Sequence, residues 1–468
     1  MLKTCCFVLT AFTVAGCATF SEDGGFGTVQ RAVKERTGQE ARWVRTEDEA
    51  NSVRARAREL LARPLSADDA AQLALLSNPG LQATYAELGI SEADLVQAGR
   101  MTNPHFAYLR TRNGDQSKIE WALTFPIIEL LTMPLRTRLQ GRRFEEAKLA
   151  VAGAAVGVAF EARQAWHQAV AAEQTVLYMA QVKEAAEASA ELARRMTRAG
   201  NFPKLTLMRE QAFYAEAVVQ LARAKQTALA DRERFARLMG LFGDDLAFKL
   251  PERLPDLPKA MPDLGDLEAI AMQQRFDVQA AKRGTEALAE SLGLTKATRF
   301  VNALEFGPAS TREGAEPWKR GFEVSLELPI FDWGGARVAK AEAIYMQSVH
   351  RVAEIAINAR SEVRESYSAY RIAYDTAKHY RDEIVPLRKK ISEENLLRYN
   401  GMLISVFELL ADAREQIASV NAAIDAQRDY WLAENALQAA LNGTPGVGRG
   451  SAEQGGRRMV PNPALAGH

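Results

Sequence analysis

The sequence predicts an α+β membrane protein built from two tandem structural repeats, and three observations support this. Four segments alternate apolar and polar residues with a period of two, which is typical of half-exposed β-strands. Two stretches of about 65 residues are nearly free of helix-breaking residues, and each indicates one long helix. Pro126 and Pro329, and likewise Gly200 and Gly401, are about 200 positions apart, so the same order of elements recurs.

The composition excludes several classes of protein. The 468 residues carry 59 basic and 59 acidic side chains, so a nucleic-acid partner is not expected. The three cysteines, Cys5, Cys6 and Cys17, lie at the N-terminus and cannot form a disulfide framework for the body. The five histidines have no metal-ligand spacing, so neither a metal site nor a cofactor is expected. No nucleophile–base pair or phosphate-binding loop is recognisable, which predicts that the chain is not an enzyme.

Residues 1–16 have the pattern of a signal peptide, with Lys3 followed by an apolar segment too short to span a bilayer. The motif Val14-Ala15-Gly16-Cys17 resembles a bacterial lipobox, with Val14 in place of the usual leucine. We therefore expect a covalent lipid such as palmitate on Cys17. The alternative is an ordinary signal peptide with an incidental cysteine.

Ala18 follows the lipobox cysteine, where an aspartate would retain many lipoproteins at the inner membrane. A lipid-anchored location in the outer membrane of a Gram-negative bacterium is therefore expected, because several acyl chains give a stable anchor. Residues 17–65 form a lipid-anchored N-terminal extension, which we expect to be irregular at first and helical over residues 46–62.

The order of elements in each repeat is a helix, two strands, a long helix and a return helix. The first repeat covers residues 66–250, a proline-rich linker covers 251–262, the second repeat covers 263–442, and 443–468 form a disordered tail. The predicted elements are helices at 66–100, 135–199, 204–241, 263–298, 336–399 and 404–441 and strands at 104–112, 118–128, 301–310 and 319–331. A helix of about 65 residues would measure on the order of 100 Å. A kink is expected at Pro386.

Four strands per chain cannot close a β-barrel, and an open sheet edge is not stable in lipid. Copies must therefore assemble. Three copies would provide twelve strands, joined without interruption to twelve long helical segments in a second layer. The strands are about as long as those that cross an outer membrane. We expect the apolar columns to meet outer-membrane lipid and Glu120, Glu323 and Glu327 to face a wet lumen.

The order and duplication of the elements resemble the TolC-like outer-membrane efflux proteins, over residues 66–442. Residues 326–337, with the sequence LELPIFDWGGAR, resemble the strand-to-helix transition of that family. Arg398-Tyr399-Asn400-Gly401, continuing through Ser405 and Glu408, resembles its periplasmic helix tip. The first strand exit, at residues 125–130, departs from the pattern because it lacks the Asp-x-Gly-Gly motif. The resemblance implies a homotrimer whose 12-stranded β-barrel continues into a long periplasmic α-helical barrel. It also implies export of small solutes such as drugs or metal ions, with a periplasmic adaptor protein and an inner-membrane pump as partners.

The resemblance also implies functional residues near the two helix tips. Glu408 and Asp412 are candidates for the periplasmic gate, and their alternative is a solvated helix N-terminus stabilised by the helix dipole. The expected adaptor contacts are Gly200, Asn201, Phe202, Pro203, Asn400, Gly401 and Met402. Ordinary helix-hairpin chemistry, with Gly and Asn in left-handed conformations, is compatible with that role. Arg209 and Glu210 would form ion pairs at a closed tip or, more simply, on the surface.

A second function fits part of the pattern. A structural periplasmic coiled-coil lipoprotein without a pore would share the long helices and the lipid anchor. It would not need four amphipathic strands bounded by turns, which is why the sequence favours the channel.

Overall fold

The computed structural model describes residues 19–261, 265–301 and 303–444. The elements of its first half are α1 (Phe26–Thr37), α2 (Glu47–Leu61), α3 (Ala67–Ser77), α4 (Pro79–Ala98), β1 (His105–Asn113), β2 (Gln116–Pro126), α5 (Ile127–Arg198) and α6 (Lys204–Met239). Those of its second half are α7 (Leu267–Gln274), α8 (Phe276–Ala297), β3 (Leu304–Glu313), β4 (Lys319–Leu326), α9 (Gly335–His379), α10 (Val385–Asn400) and α11 (Val406–Asn442).

Packing divides the chain into two compact units. The sheet unit consists of the described residues of Met1–Val44, Pro79–Ala155 and Ala269–Ser361. The tip unit consists of the described residues of Arg45–Asn78, Val156–Glu268 and Glu362–His468. Each unit takes segments from both halves of the sequence. The predicted repeat boundaries refer to order along the chain and not to packing, so they remain a prediction.

The four strands form one antiparallel sheet in the order β1-β2-β3-β4. The inner pair, β2 and β3, joins the hairpin of the first half to that of the second, with Trp121 opposite Ser310. Gly114 and Gly314 adopt left-handed φ angles of 58° and 55° in the two hairpin turns, where glycine avoids the steric cost of a Cβ atom. Because neighbouring strands are antiparallel and follow the chain order, both hairpin turns lie at the same end of the sheet.

The predicted end of the last strand is wrong. Alternation continues to residue 331, but β4 ends at Leu326 because its partner β3 begins at Leu304, directly opposite. Beyond that point Glu327 N donates to Ala303 O at 3.2 Å. The repeat-related prolines also differ, because Pro126 is the last paired residue of β2 whereas Pro329 lies beyond β4.

The first long helix begins earlier than predicted. It starts at Ile127 and includes Pro134, which directly precedes the predicted start at residue 135. A proline inside a helix removes one amide donor, and the other hydrogen bonds of a 72-residue helix offset that single loss. Near the other proline, Pro386, a π-helical turn at Tyr380–Ile384 precedes α10, which agrees with the predicted local distortion.

The single helix predicted at 263–298 is two helices. Arg275 separates α7 from α8 with an extended conformation, and its buried guanidinium binds the carboxylate of Asp277 at 2.7 and 3.0 Å. This charge-assisted pair fixes the break.

The N-terminal extension is more ordered than predicted, because residues expected to be irregular form α1. Phe26 packs edge-on against Tyr85, with ring centroids 4.9 Å apart, and also contacts Trp43. Val29 and Val33, one turn apart, are fully buried. The spacing of these residues places one apolar stripe of α1 in the core of the sheet unit.

The core of the tip unit includes the predicted linker. Leu254 is buried together with Phe235, Met239 and Phe248. The carbonyl of Pro255 accepts hydrogen bonds from the Trp431 indole at 3.1 Å and from the Gln427 amide at 2.7 Å. The proline-rich segment is therefore a packed strap across the helices and not a free connection.

His167 is buried in the same unit as a neutral imidazole. Its ring stacks on Trp431, with centroids 5.4 Å apart, and its Nδ1 lies 2.8 Å from the carbonyl oxygen of Arg163. Burial lowers the pKa of His167 to about 4, because the charged form loses its hydration.

The first prediction concerns acid stability. The unfolded chain binds a proton at His167 below a pH of about 6.5, and the folded chain does not until about pH 4. Stability is therefore lost as pH falls through this window, by about 2 kcal/mol between pH 7.5 and pH 5. His167→Gln should abolish that contribution, measured by denaturant unfolding at both pH values.

The buried carboxyls Glu161 and Glu434, whose pKa values are raised by burial, are present in both proteins and cancel in the comparison. An equal loss of stability in the wild type and the variant would contradict the assignment to His167.

The second prediction concerns the seam between β2 and β3. A Cβ on Gly307 would lie 1.8 Å from the carbonyl oxygen of Leu123, so Gly307→Ala must force the strands apart. Because such overpacking against rigid backbone exceeds ordinary core cases, we expect a cost of at least about 3 kcal/mol, measured by denaturant unfolding. Gly321→Ala in β4, which meets nothing within 4 Å, is the matched control and should be tolerated. Equal stability of Gly307→Ala and Gly321→Ala would contradict a close approach of the β2 and β3 backbones at Gly307.

Candidate functional site

The sheet has two chemically different faces. Directly opposed residues of antiparallel strands share a face, so the register assigns Phe106, Tyr108, Trp121, Leu123, Phe125, Phe306, Phe322, Val324 and Leu326 to one side. This apolar face is largely uncovered, and Phe322 is 72% exposed and Phe106 66% exposed. An uncovered apolar surface of this kind indicates a non-aqueous neighbour.

The opposite, polar face carries the charged pairs of the sheet. The Lys118 ammonium lies 2.7 Å from Glu120, and the hydroxyl of Thr124 donates to Glu305 at 2.8 Å. Glu120 and Glu323, both expected in the lumen, lie on this face. Glu327, expected there as well, follows the end of β4 and does not belong to the sheet.

The first helix tip has the backbone predicted for it. Gly200 takes a left-handed φ of 77°, and the amide of Asn201 donates to the carbonyl of Met196 at 3.0 Å. Pro203 then caps α6, accepting from the amides of Thr206 and Leu207. The chain therefore reverses with its terminal carbonyls satisfied, as in a Schellman-type ending.

The second tip uses a different residue from the one expected. Met402, with φ 58°, is the only non-glycine residue with positive φ in the described ranges, whereas Gly401 has an ordinary φ of −80°. Asn400 is the last residue of α10. The prediction that Gly or Asn supplies the left-handed conformation is therefore wrong at this tip. Only five residues connect α10 to α11, and the chain reverses at the second of them, Met402.

Both tips expose apolar side chains. Met402 is 93% exposed and Leu403 77% exposed, and Leu205 and Met208 beside the first tip are more than half exposed. Phe202 is half-buried. Flexible thioether and aliphatic groups of this kind suit a protein contact, because they adapt to an apolar partner surface.

Glu408 lies in the first turn of α11, where it completes a capping box. Its Oε2 accepts from the Ser405 amide at 3.3 Å, and its own amide donates to Ser405 Oγ at 3.4 Å. The side chain remains exposed. The carboxylate thus has a local structural role and is still accessible to ions, so its role as a gate stays a prediction.

Asp412, one turn further, is buried. Its residue is 7% exposed, and among the described residues its Oδ2 has no hydrogen-bond partner. The alternative of a solvated helix end is therefore wrong for Asp412. An unpartnered buried carboxylate oxygen is costly in a finished structure, so it is expected to gain a partner in the working protein.

Glu210 on α6 is a second buried acid near a tip, 2% exposed, and it accepts from the Ser189 hydroxyl at 2.8 Å. The surface ion pair expected for it is wrong. Ser189 and Glu210 are nearly equidistant in sequence from Gly200, so the geometry of a helical hairpin could have revealed their contact. Arg388 and Glu415, ion-paired across the second tip, follow the same rule.

Three features predicted from the sequence lie outside the described residues: the signal peptide at 1–16, the lipidated Cys17 and most of the tail at 443–468. Within residues 19–261, 265–301 and 303–444, no group of three or more His, Cys, Asp or Glu side chains is arranged to bind a metal ion. In the same ranges no helix is both long and apolar enough to cross a bilayer.

Comparison with known proteins gives a match only in three dimensions. No family model matches the chain, and no curated protein sequence matches it significantly. The outer-membrane channel OprN superposes with a TM-score of 0.69 at 18% identity, covering 88% of this chain and 95% of that one. A membrane protein from Pseudomonas aeruginosa gives 0.70 at 19% identity, covering 83% of this chain and 94% of that one.

CusC, solved in a study of transmembrane channel formation, gives a TM-score of 0.68 at 15% identity, covering 83% of this chain and 92% of that one. At these identities the likeness establishes the fold. The chain has the fold of outer-membrane channels of the TolC type, and the fold predicted from the sequence is confirmed.

The third prediction uses the contrast between the tips. Gly200→Ala should cost about 1 kcal/mol of unfolding free energy, because its φ is left-handed, whereas Gly401→Ala should be neutral or stabilising. Met402→Gly should relieve strain and preserve or raise stability by up to about 1 kcal/mol. Denaturant unfolding of the three variants tests this, and a destabilised Gly401→Ala with an unaffected Gly200→Ala would reverse the assignment.

Proposed function

We propose that this chain is one subunit of a homotrimeric outer-membrane channel that exports small solutes from the periplasm as the outer component of a tripartite efflux system. The observation that carries the proposal is the four-stranded sheet, which has opposite chemistry on its two faces and two outer edges. The fold, shared with outer-membrane channels, supports the same conclusion.

The sheet edges argue for assembly. Within the described residues, β1 pairs only with β2 and β4 only with β3, so each outer strand leaves a row of backbone donors and acceptors unpaired. In hydrocarbon each unpaired group costs several kcal/mol, and a closed barrel removes both edges. Three copies would supply twelve strands, with β4 of one copy pairing with β1 of the next.

The faces argue for orientation. The apolar face would meet lipid, and the polar face, with Glu120, Glu305 and Glu323, would line a water-filled lumen. A structural lipoprotein without a pore would have no use for a sheet that is apolar on one side and charged on the other.

The conduit would be passive, like the outer-membrane channels whose fold it shares. Transport energy would then come from an inner-membrane pump, reached through a periplasmic adaptor. The exposed apolar side chains at the tips, including Met402 and Leu403, are the surface we assign to that adaptor. A lipid on Cys17 would add a second attachment to the outer membrane. Drugs or metal ions remain the proposed cargo classes.

The fourth prediction concerns the channel and its gate, and planar-bilayer conductance of the purified protein tests both. We expect a small, cation-preferring conductance. Glu408→Gln removes one charge per copy but keeps the capping box, since glutamine also serves at that position. Glu408→Gln should therefore lower the cation preference of the conductance. Asp412→Asn should raise the open probability if the Asp412 carboxylate holds the tip closed.

Glu191→Gln is the matched control, because Glu191 lies near the first tip but is already neutralised by Arg194 and by Arg195 at 2.9 Å. It should leave conductance unchanged. Unchanged selectivity and gating in Glu408→Gln and Asp412→Asn would retain the channel and reject these acids as its gate. Absence of any conductance from the wild-type protein would contradict the channel and favour the structural lipoprotein.

A further inference from the structure

The charged residues of the strands are segregated by face. The four strands contain four arginines, and all lie in register with the apolar face: Arg110, Arg112, Arg312 and Arg320. The four strand carboxylates all lie on the polar face: Glu120, Glu305, Glu313 and Glu323. The arginines therefore occupy a surface with no strand carboxylate to neutralise them.

The two strand lysines lie on the opposite face from the arginines. Lys118 and Lys319 lie on the polar face, where Lys118 pairs with Glu120 at 2.7 Å and Lys319 pairs with Glu316 at 2.9 Å. Within the described chain, none of the four arginines has a carboxylate at ion-pair distance. Net positive charge in the sheet is therefore concentrated on the face that would meet lipid.

The arginines are also confined to one end of that face. Arg110 and Arg312 both lie opposite Ile119, and Arg112 is nearer the hairpin turn. Neighbouring strands are about 4.8 Å apart, so the backbones of Arg110 and Arg312 are separated by roughly 10 Å across β2. Arg320 lies one level below them, opposite Ser310.

Aromatic and aliphatic side chains follow in the direction away from the turns. Tyr108 and Trp121 share the level of Arg320, and Phe106, Leu123 and Phe322 share the next level. This sequence of arginines, amphipathic aromatics and purely apolar groups matches the gradient from headgroup to acyl chain in a lipid leaflet. In a channel whose helices lie in the periplasm, the turn end faces the outer leaflet.

We propose that Arg110, Arg112, Arg312 and Arg320 bind the phosphate groups of a phosphorylated lipid in the outer leaflet, a proposal that rests on the membrane insertion proposed above. Guanidinium groups match phosphate oxygens in bidentate geometry and are more weakly hydrated than ammonium groups. Arg112 donates through Nε to the Gly114 carbonyl at 3.1 Å, which holds its side chain beside the turn and leaves its other nitrogens for the phosphate.

The test, our fifth prediction, is a binding titration of the purified assembled protein in detergent, followed by tryptophan fluorescence. The probes are lipid A with two phosphates, the same lipid without phosphate, and inorganic phosphate alone. Arg110→Gln/Arg312→Gln should weaken binding of phosphorylated lipid A by at least about tenfold. Lys118→Gln/Lys319→Gln removes the same charge near the same turns but from the polar face, and it should change binding by less than about twofold.

Three results would overturn the proposal: equal weakening in both double variants, equal affinity for the phosphate-free lipid, or saturation by inorganic phosphate at the same concentration as by lipid A. Conductance of the same preparations separates this proposal from the channel. A conducting protein without arginine-dependent lipid binding retains the channel and rejects the site. Arginine-dependent lipid binding without conductance retains the site and rejects the channel.

Discussion

The constraint on which the structure depends is the hydrogen-bonding demand of the peptide backbone at a sheet edge. Within each half a hairpin meets this demand, and between the halves it is met at the seam where β2 pairs with β3. Gly307 permits the close approach of the strands there. The demand remains open at β1 and β4, so the same physics that joins the two hairpins also requires further copies in a membrane. The proposed assembly of several copies rests on this one requirement.

The two helix tips have similar sequences and both reverse the chain, but they do so with different backbone conformations. Both contain glycine near the reversal, yet only Gly200 uses its freedom from a Cβ atom, and at the second tip Met402 takes the left-handed conformation. A strained, nearly fully exposed methionine is not explained by folding stability, because glycine would be less strained there. Its exposure at the end of the helices is consistent with selection for contact with another protein, which is the role proposed for this surface.

Buried ionisable groups distinguish the tip unit from an ordinary packed core. Asp412, Glu210 and His167 are each nearly inaccessible. Glu210 and His167 have hydrogen-bond partners, whereas Oδ2 of Asp412 has none among the described residues. In the same unit, the small side chains Ala186 and Ala217 are buried together, which allows α5 and α6 to approach closely. Buried polar groups contribute less to stability than to a choice between arrangements, because their cost changes whenever the surrounding helices move. The energy of each of these three groups therefore depends on how the helices around it pack.

The sequence by itself determined the order of elements, the hairpin turns, the helix breaks at both tips and the two-faced character of the strands. These features depend on local conformational preference and on periodicity, which act over a few residues. Tertiary structure alone decided where β4 ends, that the proline-rich linker is a packed strap, and that Asp412 and Glu210 are buried. Each of these depends on a partner that is distant in sequence, and the free energy gained from that partner outweighs the local preference.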